Sequence, residues 1–89
     1  MLITFEGIEG SGKSTQANLL SDFLSGNGYK VTLTREPGWG HLGNLIRTLI
    51  LEERELVLAP MAELFLFCAD RAQHVKDLIA PRLRNGEIV

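Results

Sequence analysis

One eight-residue run constrains this chain more than any other stretch. Residues 7–14, Gly-Ile-Glu-Gly-Ser-Gly-Lys-Ser, fit the pattern G-x-x-x-x-G-K-[ST]. The run follows a short apolar segment, Leu2–Phe5, and precedes a segment with helical periodicity. A strand, a glycine-rich turn and a helix are the context in which this pattern forms a phosphate-binding loop, called the P-loop below. The predicted apolar face of the helix consists of Ala17, Leu20, Phe23 and Leu24.

The residue types of the P-loop explain how it would hold phosphate. Gly7, Gly10 and Gly12 can adopt positive φ angles and leave no Cβ between the backbone and a ligand. The N–H groups of such a turn point inward, and the following helix adds the positive end of its dipole. We expect Lys13 to neutralise nucleotide phosphates and the Ser14 hydroxyl to ligate Mg²⁺. The alternative is a surface turn with three glycines and a chance lysine.

Composition narrows the class of protein. A length of 89 residues is one small domain or a piece of a larger one, and a net charge of −2 argues against a general nucleic-acid-binding surface. No apolar run approaches the roughly 20 residues of a membrane span, and no leader peptide is recognisable at Met1. Cys68 is the single cysteine and lies in an apolar run, so we expect a buried thiol in a reducing compartment, the cytoplasm.

Alternating helical and extended patterns predict an α/β fold. Leu2–Glu6 and Tyr29–Arg35 are predicted strands, and Lys13–Ser25 is a helix that ends at a Ser-Gly-Asn-Gly turn. Two strands joined by a helix indicate a right-handed crossover and a parallel sheet. The loop Glu36–Gly40 follows the second strand at the sheet edge where ligands bind in such folds.

Two further helices are predicted after this loop. Leu42–Ile50 has apolar residues at helical spacing, and a long helix runs from Met61 to about Asn85, bent or broken near His74 and Pro81. Residues 87–89 have the pattern of an opening third strand. The chain ends there, which we interpret as the end of a partial sequence.

Four stretches, taken together in this order, resemble the thymidylate (dTMP) kinases of the bacterial type. The resemblance implies a P-loop nucleoside monophosphate kinase-like parallel sheet with flanking helices. It also implies that residues 1–89 are the N-terminal part of a single kinase domain, truncated at the start of the third strand, with the lid and C-terminal half absent. The stretches are Phe5–Gln16, Thr34–Gly38, Ala62–Val75 and Ile79–Glu87.

The resemblance implies transfer of the γ-phosphoryl group of ATP to dTMP, with Mg²⁺. Glu9 would face the sugar of the acceptor, and Arg35 and Arg47 would lie near its phosphate. Phe67 would stack on thymine, and Arg71 would hydrogen-bond its edge. Lys13, Glu9 and Arg35 are the expected catalytic residues. The residues that would hold ATP are Gly7, Ile8, Glu9, Gly10, Ser11, Gly12, Lys13, Ser14 and Thr15.

The residues alone leave simpler interpretations open. Arg35 and Arg47 could be solvated surface charges, Phe67 could be a core aromatic, and Arg71 could pair with Glu63 or near Asp70. We interpret both histidines, His41 and His74, as structural or surface residues. Trp39 stands where the related kinases usually have glycine, and it is either an exposed loop aromatic or a packing residue.

Other functions and assemblies also remain open. The 89 residues could be a phosphate- or NTP-binding piece, a non-functional piece, or part of a P-loop kinase for another small acceptor. In the related kinases the third strand lies between the first two, so we expect a chain ending at Val89 to leave that position mostly empty and to aggregate. The long helices could pack across a homodimer.

Overall fold

Helices make up most of the described chain. The structure is a computed structural model that describes residues 1–8 and 10–89, and within them it contains four α-helices and two short π-helical segments. These residues form two compact units. The first unit consists of Met1–Leu33 and Ala80–Val89, and the second consists of Thr34–Ile79.

Helix α1, Lys13–Gly26, follows the P-loop directly and extends one residue beyond its predicted end. Three of the four residues predicted for its apolar face are half-buried, whereas Phe23 is 65% exposed. The helix ends because the N–H groups of Asn27 and Gly28 bond to carbonyl groups of its last turn. Gly28 has a φ of 89°, a left-handed conformation that favours glycine.

The predicted parallel sheet is present only as short pairings. Within residues 1–8 and 10–89 no segment forms a regular strand, and the structure contains one isolated parallel bridge, between Val31 and Ile88. The predicted strands Leu2–Glu6 and Tyr29–Arg35 are extended segments instead. The fold prediction therefore holds for the helices and the P-loop turn, but the described residues do not form the continuous sheet.

The pairing pattern explains why the ladders are so short. The Ile88 N–H donates to the Lys30 carbonyl at 2.9 Å, and the Ile88 carbonyl accepts from the Thr32 N–H at 2.8 Å. Val89 pairs in the same way with residues 1–3, at 2.9 Å for both bonds. The middle segment thus lies between the other two, in the order that the resemblance implies. Both ladders are short because each flanking segment meets only one or two residues of the middle segment: residues 30–32 bond to the backbone of Ile88, and residues 1–3 bond to that of Val89 and, through the Met1 amino group at 3.1 Å, to the Glu87 carbonyl.

The second unit begins with an irregular loop and a helix. The loop contains a cis peptide bond between Glu36 and Pro37 and leads into helix α2, Gly40–Arg47. A π-helical segment, Thr48–Glu52, continues the helix, so the predicted helical extent is confirmed. Of the apolar positions in that pattern, Ile46 is the buried one, at 3% exposure.

Helix α3, Pro60–His74, begins with proline in its first turn, as predicted. It gives way at His74 to a π-helical segment, Val75–Ile79, and the chain then forms helix α4, Ala80–Arg84. The predicted irregularity near His74 is therefore a change from α- to π-helical winding, and the chain stays helical through Pro81 to Arg84. Pro81 lacks an N–H group, so no regular α-helical bond can form across this point, which accounts for the change of winding.

The apolar run on α3 is more exposed than its composition suggests. Leu64 and Phe65 are 53% and 65% exposed, and the Cys68 thiol is exposed too. The prediction of a buried cysteine is therefore wrong. The reason is that α3 packs against α2 through one side, and the apolar run continues around the helix beyond that side.

Replacement of Gly43 by alanine is expected to destabilise the second unit by about 1–3 kcal/mol. A Cβ at Gly43 would lie 3.0 Å from Asp70 Oδ1 and 3.1 Å from the carbonyl carbon of Gly38, and that backbone cannot rotate away. Urea unfolding measures the change.

Gly26 provides the matched control, because it is also helical and a Cβ there would meet nothing within 4 Å. Gly26→Ala should leave stability unchanged or raise it by up to about 1 kcal/mol. Equal losses in the two variants would contradict the packing at Gly43.

Candidate active site

The P-loop closes on itself through the side chain of Lys13. Its Nζ donates a hydrogen bond to the Gly7 carbonyl at 2.7 Å, and the Ser11 N–H donates to the Ile8 carbonyl at 3.2 Å. The ammonium group therefore lies over the turn instead of extending into solvent. A cation at this point attracts the terminal phosphates of a nucleotide that follows the turn.

The three glycines of the P-loop serve two different purposes. Gly10 and Gly12 have φ angles of 78° and 89°, as predicted. Gly7 does not use this freedom, because its φ is not positive. Its role is steric, because a Cβ at Gly7 would lie 2.7 Å from the Ser11 hydroxyl oxygen.

The amino end of α1 presents backbone and hydroxyl groups. Among the described residues no side chain caps this end, and Gly12 is the first capping position. The side chains of Ser14 and Thr15 are exposed in the first turn, and Ile8 is 82% exposed on the loop. An uncapped helix amino end is a natural anion site. Glu9, predicted for catalysis and sugar contact, lies outside the described residues.

Two predicted phosphate ligands come together around Gly38. A Cβ at Gly38 would lie 2.8 Å from Arg47 Cδ and 3.4 Å from Arg35 Nε, so both arginine side chains lie close to this glycine. Arg47 Nη1 also donates to the Pro37 carbonyl at 2.8 Å, which orients its guanidinium. Arg35 is exposed and Arg47 is half-buried. Two adjacent guanidinium groups suit a doubly charged phosphate.

The two residues predicted to hold a base share one face of α3. Phe67 and Arg71 are one helical turn apart, and Phe67 is 38% exposed, so the aromatic ring is not enclosed in a core. Arg71 pairs with Glu36 through Nε, at 2.8 Å from Oε1. This partner was not among those considered from sequence. A flat ring beside a cation can stack on a base and bond its polar edge.

Glu36 also contacts His74, which is 2% exposed. His74 Nδ1 lies 2.7 Å from Glu36 Oε2, and Nε2 lies 2.8 Å from the Thr34 hydroxyl. Burial opposes the charged form of Glu36, but hydrogen bonds from His74 and Arg71 outweigh it and hold the pKa of Glu36 below its ordinary value of 4.5. The interpretation of His74 as structural is supported, with a partner that the sequence did not indicate.

Asp70 holds the other side of the same loop. Its carboxylate is 2% exposed and accepts a hydrogen bond from the Gly38 N–H at 3.3 Å. Burial raises the pKa of Asp70 above its ordinary value of 3.8, the negative charge of Glu36 adds to the rise, and the Gly38 bond offsets only part of it. The two carboxylates are thus neighbours with opposite shifts.

Trp39 takes the packing role of the two considered. It is half-buried, and its ring stacks on the His74 imidazole with centroids 5.7 Å apart and planes 27° apart. The bulky side chain at the start of α2 therefore packs over a buried side chain of α3.

Comparison with known proteins agrees with these features. A family model described as thymidylate kinase matches residues 5–89. The chain belongs to the thymidylate kinase family. The resemblance inferred from its motifs is therefore confirmed.

Individual thymidylate kinases show how much of the family's length is matched. One from Desulfovibrio desulfuricans is 55% identical over the whole chain, and the match spans 41% of that relative. One from Pelobacter propionicus is 51% identical over 98% of the chain, and the match spans 40% of that relative. The crystal structure of a thymidylate kinase from Ehrlichia chaffeensis superimposes with a TM-score of 0.90 at 43% identity, over the whole chain and 51% of that structure. The chain thus spans about two-fifths of the curated relatives.

Sequence reasoning singled out the arginines and the aromatic residue described above, which stay predictions, but it did not consider Glu36, Asp70 and Thr34 as site residues. The available signal was a charged residue placed directly before Pro37 in the loop after a predicted strand. That loop lies where ligands bind in open α/β folds. Its glutamate could have been considered as a partner for a cation on a neighbouring helix.

The two carboxylates predict opposite pH dependences of stability. The unfolded chain takes up a proton at Glu36 near pH 4.5, whereas the folded chain does so only at lower pH, so the stability from the charged form is present above about 4.5 and lost below it. The stability difference between unchanged protein and Glu36→Gln should shrink as the pH falls through this range. Urea unfolding at several pH values measures it.

Asp70→Asn is the matched control, and its stability difference from the unchanged protein should depend on pH in the opposite direction. Because the folded chain retains the Asp70 proton above 3.8, the unchanged protein should lose stability relative to Asp70→Asn as the pH rises through the raised pKa. Parallel pH profiles for the two differences would contradict the assigned contacts.

Proposed function

We propose that the protein carrying this chain transfers the γ-phosphoryl group of ATP to dTMP and forms dTDP. Membership of the thymidylate kinase family supports the substrate pair, and relatives at about half identity bear that name. In this proposal residues 1–89 are the N-terminal part of one P-loop kinase domain with a parallel sheet. The homodimer and the cytoplasmic location remain predictions from the sequence.

The P-loop is the proposed donor site. The Lys13 ammonium group contacts the β- and γ-phosphates, either after leaving the Gly7 carbonyl or with one N–H still bonded to it. The amino end of α1 faces the phosphate chain. Ser14 offers an exposed hydroxyl in the first helical turn, and oxygen is the donor type that Mg²⁺ prefers. When bound, Mg²⁺ would neutralise charge on the phosphate oxygens. Among residues 1–8 and 10–89 no cluster of His, Cys, Asp or Glu could hold a metal ion by itself.

The second unit supplies the proposed acceptor site. Arg35 and Arg47, whose side chains both lie close to Gly38, bind the phosphate of dTMP. Phe67 stacks on the base and Arg71 donates to its polar edge, while Glu9 contacts the sugar hydroxyl. These roles follow from the chemistry of the side chains, because guanidinium groups bond to phosphate oxygens and an aromatic ring stacks on a planar base.

Phosphoryl transfer needs positioning and charge neutralisation more than covalent chemistry from the protein. An oxygen of the acceptor phosphate forms a bond to the γ-phosphorus, and the bond from that phosphorus to the β,γ-bridging oxygen breaks. ADP leaves with the electron pair of the broken bond. Lys13 stabilises the charge that develops on the donor side, and Arg35 does so on the acceptor side.

One observation carries the proposal most directly. Lys13 closes a P-loop in which Gly10 and Gly12 have positive φ angles. The thymidylate kinase family model that matches this loop also matches the exposed pair Phe67 and Arg71 on α3. The P-loop alone fits many nucleotide-binding proteins, whereas Phe67 and Arg71 add the features suited to a base.

Phe67→Ala in the complete gene product should raise the KM for dTMP about 10- to 100-fold, because base–aromatic stacking contributes about 1–3 kcal/mol. The KM for ATP should change little, since Phe67 has no part in the proposed donor site. Coupled measurement of ADP formation from ATP and dTMP tests both values.

Lys13→Ala is the matched variant on the donor side and should reduce kcat at saturating dTMP. The unchanged protein should not use dCMP, AMP or shikimate as acceptor. Turnover of dTMP that survives both substitutions would show that the residue assignment is wrong.

A second candidate, a piece without catalysis, applies to the 89-residue chain expressed by itself. Extensive exposed apolar surface favours it, since Val57 is 92% exposed and Met61 is 61% exposed, and residues 87–89 join the flanking segments through only a few backbone bonds. No helix of the described residues is long and apolar enough to cross a membrane.

The isolated chain is therefore expected to aggregate and to show no dTMP phosphorylation. Size-exclusion chromatography, thermal melting and the same kinase assay measure these properties. A monomeric chain with a cooperative melt and measurable turnover would contradict the expectation.

A further inference from the structure

The Glu36 carboxylate joins two side chains of α3 that differ greatly in exposure. Oε1 accepts a hydrogen bond from Arg71 Nε at 2.8 Å, and Oε2 lies 2.7 Å from His74 Nδ1. The Arg71 side chain is 72% exposed, that of Glu36 is 21% exposed, and that of His74 is 2% exposed. A continuous series of polar contacts thus leads from the interior to an exposed guanidinium group.

The buried end of this series is fixed on three sides. A charged carboxylate can only accept hydrogen bonds, so His74 Nδ1 must carry a proton and donate it to Glu36. The other ring nitrogen, Nε2, meets the Thr34 hydroxyl at 2.8 Å, and Trp39 stacks on the ring face. The imidazole therefore has little freedom to rotate, and the position of Oε2 follows from it.

An exposed arginine is normally mobile, and an ordinary surface ion pair restrains it only weakly. Here the carboxylate is itself held in place, so the entropy cost of ordering Arg71 is reduced. The contact is made through Nε, so it helps to fix the plane of the guanidinium. Such an arrangement prepares a side chain for a ligand before the ligand arrives.

We propose that Glu36, held by His74, is a positioning residue that sets the guanidinium of Arg71 for the base edge of the acceptor nucleotide. This inference rests on the proposed function, in which Arg71 contacts that edge. Glu36 itself touches neither substrate. Thr34 and Trp39 act one step further away, by holding the imidazole on which Glu36 depends.

Glu36→Gln in the complete gene product tests the role. The substitution removes the negative charge that the guanidinium of Arg71 pairs with, and it gives His74 Nδ1 an N–H₂ donor in place of an acceptor, so the contact to His74 persists only in the other imidazole tautomer. The KM for dTMP should rise about tenfold, while kcat and the KM for ATP should stay within about twofold. A general loss of structure would instead change all three parameters.

A double-mutant cycle shows whether Glu36 acts through Arg71. In an Arg71→Lys background, Glu36→Gln should add little to the rise in KM for dTMP, because lysine lacks the Nε and the planar fork that Glu36 orients. Glu63→Gln is the matched control: Glu63 is an exposed glutamate on the same helix, and its replacement should leave the kinetics unchanged.

Each outcome decides the matter. Independent, multiplicative effects of the two substitutions, or a KM for dTMP that Glu36→Gln leaves unchanged, would overturn the positioning role and leave the proposed kinase activity intact. Equal effects on dTMP and ATP parameters would assign Glu36 a purely structural role. If the unchanged protein does not phosphorylate dTMP, the proposed function fails, and this inference fails with it.

Discussion

The hydrogen bonds between Glu36 and helix α3 determine the arrangement of the second unit. Within the described residues the loop that carries Glu36 forms no helix or strand, and side chains attach it to α3. Glu36 binds His74 and Arg71, and Asp70 binds the Gly38 N–H, so both ends of a short loop are attached to one helix. Because that loop also carries Gly38, close to the side chains of Arg35 and Arg47, and accepts a hydrogen bond from Arg47 at the Pro37 carbonyl, the arrangement of the two arginines depends on these attachments.

The P-loop of the first unit is held in its conformation in a different way. Its P-loop is shaped by backbone conformation, with left-handed angles at Gly10 and Gly12, and by one cation, Lys13, that bonds to a carbonyl of its own turn. Such a loop is encoded within eight consecutive residues, and a sequence pattern can therefore identify it. The acceptor cluster has no comparable local code, because Glu36 and His74 are brought together only by the fold.

The difference between features encoded locally and features formed by the fold explains which predictions from the sequence were confirmed. Period and capping signals gave the helices to within a few residues, including the irregularity near His74, since these signals are local. The burial of Cys68 and the steric reason for Gly7 depend on what lies across the chain, which a pattern of apolar residues does not contain. The continuous sheet stays a prediction for a related reason: strand propensity in residues 2–6 and 29–35 does not ensure that enough partner residues lie alongside among the described residues.

The position of Trp39 shows how a departure from a family pattern can fit the same site. A glycine there would leave the outer face of the His74 ring uncovered, whereas the indole packs against it. His74 is the buried group that orients Glu36, and a ring covered on its face and bonded at both nitrogens has few alternative orientations. Trp39 thus further restricts His74, the least exposed of the three side chains Arg71, Glu36 and His74. Arg71, the most exposed of the three, stays accessible to solvent.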